Sequence, residues 1–244
     1  MKITDIENHK LFTESIKQLN ILHAELKIKD GYSAHNHQHI LFLIKELLGS
    51  KCKNYLEIGT ALGSSMSSVM KSKYNTNFYG IDLFKKETGS DVKSRVESII
   101  ESFNVNNHNF TLIEGSSMDD SIIKSISEIQ GGIDFFYIDG NHSTEYVYND
   151  FINYETYLNK NCVIVFDDST FGPTAAGIRK IKENDIMKNY IDLGRIPPDA
   201  YISKLEKVLL TNINENGSSI YKYNSDQDDI SRFHDNWQRI FFKL

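Results

Sequence analysis

A doubly wound α/β sheet of seven strands, mostly parallel and closed by an antiparallel C-terminal hairpin, is the fold that the sequence predicts. Three observations predict it. From residue 54 onward, short apolar runs alternate with longer amphipathic stretches, the pattern of successive βα units. The runs are largely apolar rather than alternating, as parallel strands covered on both faces must be. Near the C-terminus, two short runs flank Asn212–Gly217, a polar loop ending in Asn-Gly that reads as a hairpin turn.

The elements follow in order. Residues 1–50 read as a helical cap, and residues 51–244 as the sheet domain. In the cap, Leu11, Ile16, Leu19, Leu22 and Leu26 recur at helical spacing, as do Ile40, Leu43, Ile44, Leu47 and Leu48. His35, His37 and His39 lie in a polar stretch between the two groups. Their spacing could suit a metal, but no acidic or cysteine partner stands nearby, and they are assigned to the linker. The parallel strands are Tyr55–Ile58, Phe78–Ile81, Phe110–Ile113, Ile133–Ile138 and Cys162–Phe166. Lys207–Thr211 and Ser219–Tyr223 are expected to be the closing hairpin. The stretch from Phe171 to Tyr201 has poor strand character and is expected to form a wall or lid. Phe171, Arg179, Arg195 and Tyr201 are its candidate contacts, with surface or core roles equally open.

Composition narrows the class. The chain has 244 residues, 40% hydrophobic and 25% charged, enough to bury a core without disulfides or structural metals. Its 27 basic and 33 acidic residues give a net charge of −6 with no long basic run, which argues against non-specific nucleic-acid binding. Cys52 and Cys162 do not resemble a disulfide framework. The start, MKITDIENHK, has no apolar signal core and no apolar stretch is long enough for a bilayer, so no membrane partner and a cytoplasmic location are expected.

Four segments carry chemistry. In YLEIGTALGSS a strand ends at Glu57, a glycine turn runs from Gly59 through Thr60 to Gly63, and a helix starts near Ser65. Glycine there lets a ligand approach the backbone. The spacing is neither the dinucleotide GxGxxG nor a phosphate loop ending in GK[ST]. Asp82, 23 residues after Gly59 and followed by Leu83, stands where a carboxylate can accept hydrogen bonds from ribose hydroxyls; a loop aspartate with no ligand is the alternative. Gly115, Ser116 and Ser117 could present hydroxyls and backbone to a purine, or Ser117 could cap a helix.

The fourth segment is a pair. IDFFYIDGNHS ends a strand on Asp139 and turns through Gly140 and Asn141 to His142, and CVIVFDDST ends the next on Asp167 and Asp168. Adjacent strands would bring these ends to about 4.8 Å. Three carboxylates so close need a proton or a cation among them. Oxygen ligands suit Mg²⁺ first, with Ca²⁺ or Mn²⁺ less specific.

Together, E57-x-G59-x-x-x-G63, D82, GSS at 115–117, IDGNH at 138–142 and FDD at 166–168 resemble class I S-adenosylmethionine-dependent methyltransferases. The nearest likeness is to metal-dependent O-methyltransferases of the catechol type and related antibiotic and sugar enzymes. The resemblance implies a Rossmann-like sheet, with Glu57, Gly59 and Ser65 lining the methionine moiety, Asp82 on the ribose and Ser117 at the adenine. It implies that Asp139, Asp167 and Asp168 bind the metal. The catechol type has a lysine base three residues after the first metal aspartate; here that position is His142, whose imidazole can do the same work. The departure leaves a sugar or alicyclic hydroxyl as open as a catechol. A small hydroxylated acceptor, no nucleic acid and a homo-oligomer are the expected partners. An NAD-dependent oxidoreductase and a non-catalytic cofactor-binding module are the alternatives. The missing GxGxxG counts against the first, and the intact acidic and histidine positions against the second.

Overall fold

The computed structural model describes residues 38–85, 92–196 and 238–244. It contains a seven-stranded sheet in the order β3-β2-β1-β4-β5-β7-β6. The strands are β1 Asn54–Ile58, β2 Asn77–Asp82, β3 Asn109–Glu114, β4 Ile133–Ile138, β5 Leu158–Phe166, β6 Tyr190–Ile196 and β7 Gln238–Lys243. The helices are α1 Gln38–Leu48, α2 Ser64–Val69, α3 Val92–Phe103, α4 Asp120–Ile126, α5 Thr144–Ile152 and α6 Gly172–Lys182. Strands β1 to β5 pair in parallel, and β7 runs antiparallel to both β5 and β6.

Neighbouring residues of a strand feed opposite cores. Tyr55, Phe78, Phe135, Val163 and Phe242 pack with Ile40, Ile44, Met66, Val96 and Ile100 from α1, α2 and α3. Leu56, Phe136, Ile164 and Phe241 pack with Ile126, Phe151, Ile178 and Ile181 from α4, α5 and α6. The central strands therefore read as unbroken apolar runs because both faces are covered.

The closing strands are not where the sequence pattern put them. Lys207–Thr211 and Ser219–Tyr223 lie outside the described residues, and the sixth and seventh places are taken by β6 and β7. Within the stretch expected to be a wall or lid, residues 172–182 are helix α6 and 190–196 an edge strand. Strand β6 is hard to recognise because its register shifts between Asp192 and Gly194, and a glycine in a strand interior often marks such a bulge. Strand β7 is disguised by Arg239, which is buried and ion-paired to Asp192 of β6.

Of the expected cap, residues 1–37 lie outside the described residues, while α1 is built into the core beside the sheet. His35 and His37 fall outside as well, and only the backbone of His39 is described, within α1. Arg179 is exposed on α6; Tyr201 and the Arg195 side chain are not described. No helix among the described residues is long and apolar enough to cross a membrane. Cys52 and Cys162 are buried and unbridged.

Candidate active site

The carboxyl ends of five adjacent strands, β3, β2, β1, β4 and β5, form one rim. Backbone amides just past the strands continue the ladder: Gly115 N donates to Asp82 O at 2.9 Å, Gly59 N to Ile81 O at 2.8 Å, Asp139 N to Ile58 O at 2.9 Å and Asp167 N to Ile138 O at 3.0 Å. This in-register rim brings Gly59, Asp82, Gly115, Asp139 and Asp167 together from distant stretches of sequence. The chain order reverses between β1 and β4, and ligand crevices of open α/β sheets form at such a switch point.

Gly59 has φ +93°, and a Cβ placed on it would lie 2.0 Å from the Asp139 carbonyl oxygen. The space that glycine leaves here is filled by the turn after β4, so its first role is to let two backbones meet. Gly63, with φ +79°, is the residue before α2. Asp82 clasps the neighbouring loops: Oδ2 accepts from Ala61 N and Oδ1 from Phe84 N, both at 2.8 Å. Each oxygen keeps a further lone pair for a ligand hydroxyl. Leu83 beside it is exposed, an apolar surface on the rim.

Glu57 is fully buried, and desolvation pushes its carboxyl up to about 7 against the pull of its hydroxyl partners. Its Oε2 accepts from Tyr55 Oη at 2.7 Å and Ser65 Oγ at 3.0 Å. The Thr60 hydroxyl stands close to this carboxylate without completing a hydrogen bond, and Glu57 Oε1 has no partner. In the serine loop, Ser116 Oγ accepts from Met118 N at 3.2 Å, and the Ser117 carbonyl accepts from Tyr154 Oη at 2.9 Å. Ser117 is buried and faces Asp150 of α5.

Strands β4 and β5 are neighbours as the spacing required, and the aspartates that follow them share Tyr137 and His142 as partners. The Tyr137 hydroxyl lies 2.9 Å from Asp167 Oδ2 and 3.1 Å from Asp139 Oδ2. A phenol has one hydrogen, so it donates to one of them at a time. His142 lies between the other two contacts, Nε2 at 3.2 Å from Asp139 Oδ1 and Nδ1 at 3.4 Å from Asp168 Oδ2. The hydrogen bond to Asp139 raises the imidazole pKa above its ordinary value, outweighing burial. Asp168 has φ +46°, a left-handed conformation that aspartate tolerates better than most residues. Phe171, exposed at the start of α6, presents its ring to the edge of His142 at 6.2 Å.

Among the described residues, no three His, Cys, Asp or Glu side chains are gathered so that they could hold a metal ion. As arranged, the cationic place between Asp139 and Asp168 belongs to the imidazole, so the three aspartates do not fit an ion in this form. The buried acceptors and Asp82 do fit a ligand with an amino group and a ribose.

Sequence reasoning missed Tyr55, Tyr137, Asp150 and Gln38. The tyrosines carried a signal: Tyr55-x-Glu57 and Tyr137-x-Asp139 repeat the same two-residue step on paired strands, so each phenol points the way of its acid.

Residues 56–169 match a family model described as a methyltransferase domain. The match takes in 114 of the chain's 244 residues, a little under half. A viral relative, described as an uncharacterized protein of Acanthamoeba polyphaga mimivirus, is 35% identical over 138 residues. That match covers 57% of this chain and 61% of the relative, so it spans less than two thirds of the relative's length. Solved structures extend the likeness beyond the matched segment. An O-methyltransferase from Bacillus cereus in complex with S-adenosylhomocysteine is 16% identical with a TM-score of 0.57, covering 95% of this chain and 91% of its own. The O-methyltransferase of tomaymycin synthesis from Streptomyces achromogenes, in complex with S-adenosylmethionine, is 12% identical with a TM-score of 0.58, covering 100% and 91%. A TDP-rhamnose 3'-O-methyltransferase of calicheamicin biosynthesis is 12% identical with a TM-score of 0.56, covering 79% and 91%. The fold is the one shared by these O-methyltransferases.

Proposed function

We propose that this protein moves a methyl group from S-adenosylmethionine to a hydroxyl of a small molecule or sugar. The observation that carries this reading is the shared rim: Glu57, Asp82, the serine loop and the Asp139–His142–Asp168 cluster all lie at the carboxyl ends of adjacent strands, beside the switch point. The donor supplies a methyl on a sulfonium centre, an electrophile that needs no further activation. Asp82 binds the ribose hydroxyls, Ser117 with the Gly115-Ser116 backbone borders the adenine, and Glu57 with Ser65 holds the methionine end. Thr60 and Gly63 shape the turn between them, and Leu83 covers the base. Phe171, exposed beside His142, borders the acceptor.

His142 takes the acceptor hydroxyl proton as the oxygen–methyl bond forms and the sulfur–methyl bond breaks. Both ring nitrogens face carboxylates, so the imidazole must be deprotonated, and one contact opened, before it can act as base. Its raised pKa places that step above the ordinary histidine range, so turnover should rise with pH there. His142→Gln should lower kcat by about 10²–10⁴-fold and flatten this acidic limb.

A metal-assisted form of the same reaction is the second reading, favoured by three aspartates that follow the neighbouring strands β4 and β5 and share Tyr137 and His142 as partners. It requires the imidazole to withdraw so that Asp139, Asp167 and Asp168 can hold Mg²⁺, or Ca²⁺ or Mn²⁺. Transfer of labelled methyl to a panel of sugars, catechols and alicyclic alcohols, with and without chelator, tests both readings. Loss of transfer in chelator selects the metal-assisted form, full activity in chelator removes it, and no transfer to any hydroxyl removes the O-methyl assignment. Asp82→Ala is expected to weaken S-adenosylhomocysteine binding at least tenfold by calorimetry, the equivalent of about 1.4 kcal/mol. Unchanged affinity would take Asp82 out of the cofactor site.

A further inference from the structure

Gln38, the first residue of α1, is 4% exposed, and its side chain reaches the start of α2, just past the turn that follows β1. Its Nε2 donates to Ser64 Oγ at 2.8 Å, and its carbonyl accepts from Ser68 Oγ at 3.3 Å. These bonds pin the start of α1 to the first turns of α2. Its Oε1 is buried and has no hydrogen-bond partner. One residue further along α2, Ser65 donates to Glu57, whose buried Oε1 also completes no hydrogen bond, although the Thr60 hydroxyl stands near its carboxyl. Two such acceptors flanking one turn, on a rim where a ligand is expected, are matched by a group rich in N–H donors. A primary ammonium has three donors and no acceptor, whereas a carboxylate would bring no hydrogen and face Glu57.

We propose that Gln38 is a specificity-determining residue of the cofactor site, its Oε1 accepting a hydrogen bond from the ammonium of the methionine end. The assignment rests on S-adenosylmethionine being the donor. It gives α1 a part in the site: the helix supplies a neutral acceptor where a second carboxylate would repel Glu57.

Calorimetry on the full chain separates this role from packing. S-adenosylhomocysteine carries the amino-acid end, and 5′-methylthioadenosine carries the nucleoside and thioether without it. Gln38→Met, close in volume and lacking the amide, should lower affinity for S-adenosylhomocysteine about tenfold or more and leave 5′-methylthioadenosine within about twofold, as loss of one hydrogen bond to a charged group predicts. Gln38→Glu keeps an acceptor and should bind S-adenosylhomocysteine more tightly than Gln38→Met. Equal losses for both ligands, or no loss for either, would overturn the assignment. A wild-type protein that binds neither ligand would overturn the donor reading itself, and Gln38 with it.

Discussion

Gly59→Ala is expected to lower the melting temperature by about 10 °C or more even when no cofactor is present. The added Cβ would stand 2.0 Å from the Asp139 carbonyl oxygen, 2.5 Å from its carbon and 2.9 Å from Gly140 Cα, all backbone atoms that no rotamer change can move. The residue also has φ +93°, which side chains other than glycine adopt at a cost of about 1–2 kcal/mol. Overpacking a tight site costs typically about 1–3 kcal/mol, and a clash with two fixed loops belongs at the top of that range. A total of roughly 4 kcal/mol is a large part of the margin of a domain, and at about 2–4 °C per kcal/mol it gives the stated shift. The measurement is thermal unfolding of the apo protein beside wild type. An apo melting temperature within a degree or two of wild type, with cofactor affinity lost, would assign this glycine to ligand clearance alone.

The central strands β1, β4 and β5 were legible because they are buried on both faces and so are apolar along most of their length. Strand β3, at the edge, buries only Leu112 and was marked by its place in the alternation. The acids at the strand ends were legible for a related reason: an ionisable residue straight after an apolar run marks the strand's carboxyl end, as at Asp82, Asp139 and Asp167. The two closing strands were not legible. Strand β6 carries Asp192 and Gly194 at a register shift, and β7 carries a buried arginine that only its partner across the sheet explains. What occupies the space between Asp139 and Asp168 was also hidden. Three aspartates in sequence suggest a cation, and the fold supplies an imidazole from the loop after β4. Gln38 and Asp150 lie on helices, where their partners are 26 and 33 residues away or missing, so no local pattern betrays them.

Asp150 should make the protein less stable as pH rises, and Asp150→Asn should remove that part of the dependence. The residue lies within α5, is 0% exposed, and neither carboxyl oxygen completes a hydrogen bond, although the Ser117 hydroxyl stands near enough to lower its pKa somewhat. Desolvation dominates and pushes the carboxyl from 3.8 up to about 7. A group whose folded pKa is raised holds its proton more tightly in the native state, so its contribution is intact below 3.8 and lost as pH climbs through about 7. The two values differ by about three, which at 1.36 kcal/mol each corresponds to about 4 kcal/mol. Glu57, buried and pushed up to about 7, titrates in the same window and adds a second share that the Asn variant keeps. Denaturant unfolding of the apo protein at pH 5 and pH 8 is the test. Wild type should lose several kcal/mol between the two, and Asp150→Asn should lose about half as much and be the more stable protein at pH 8. Equal slopes for the two proteins would mean that Asp150 is ionised in the native state across this range. In that case a donor must satisfy it, and the hydroxyl of Ser117, the residue assigned to the adenine, stands near enough to do so.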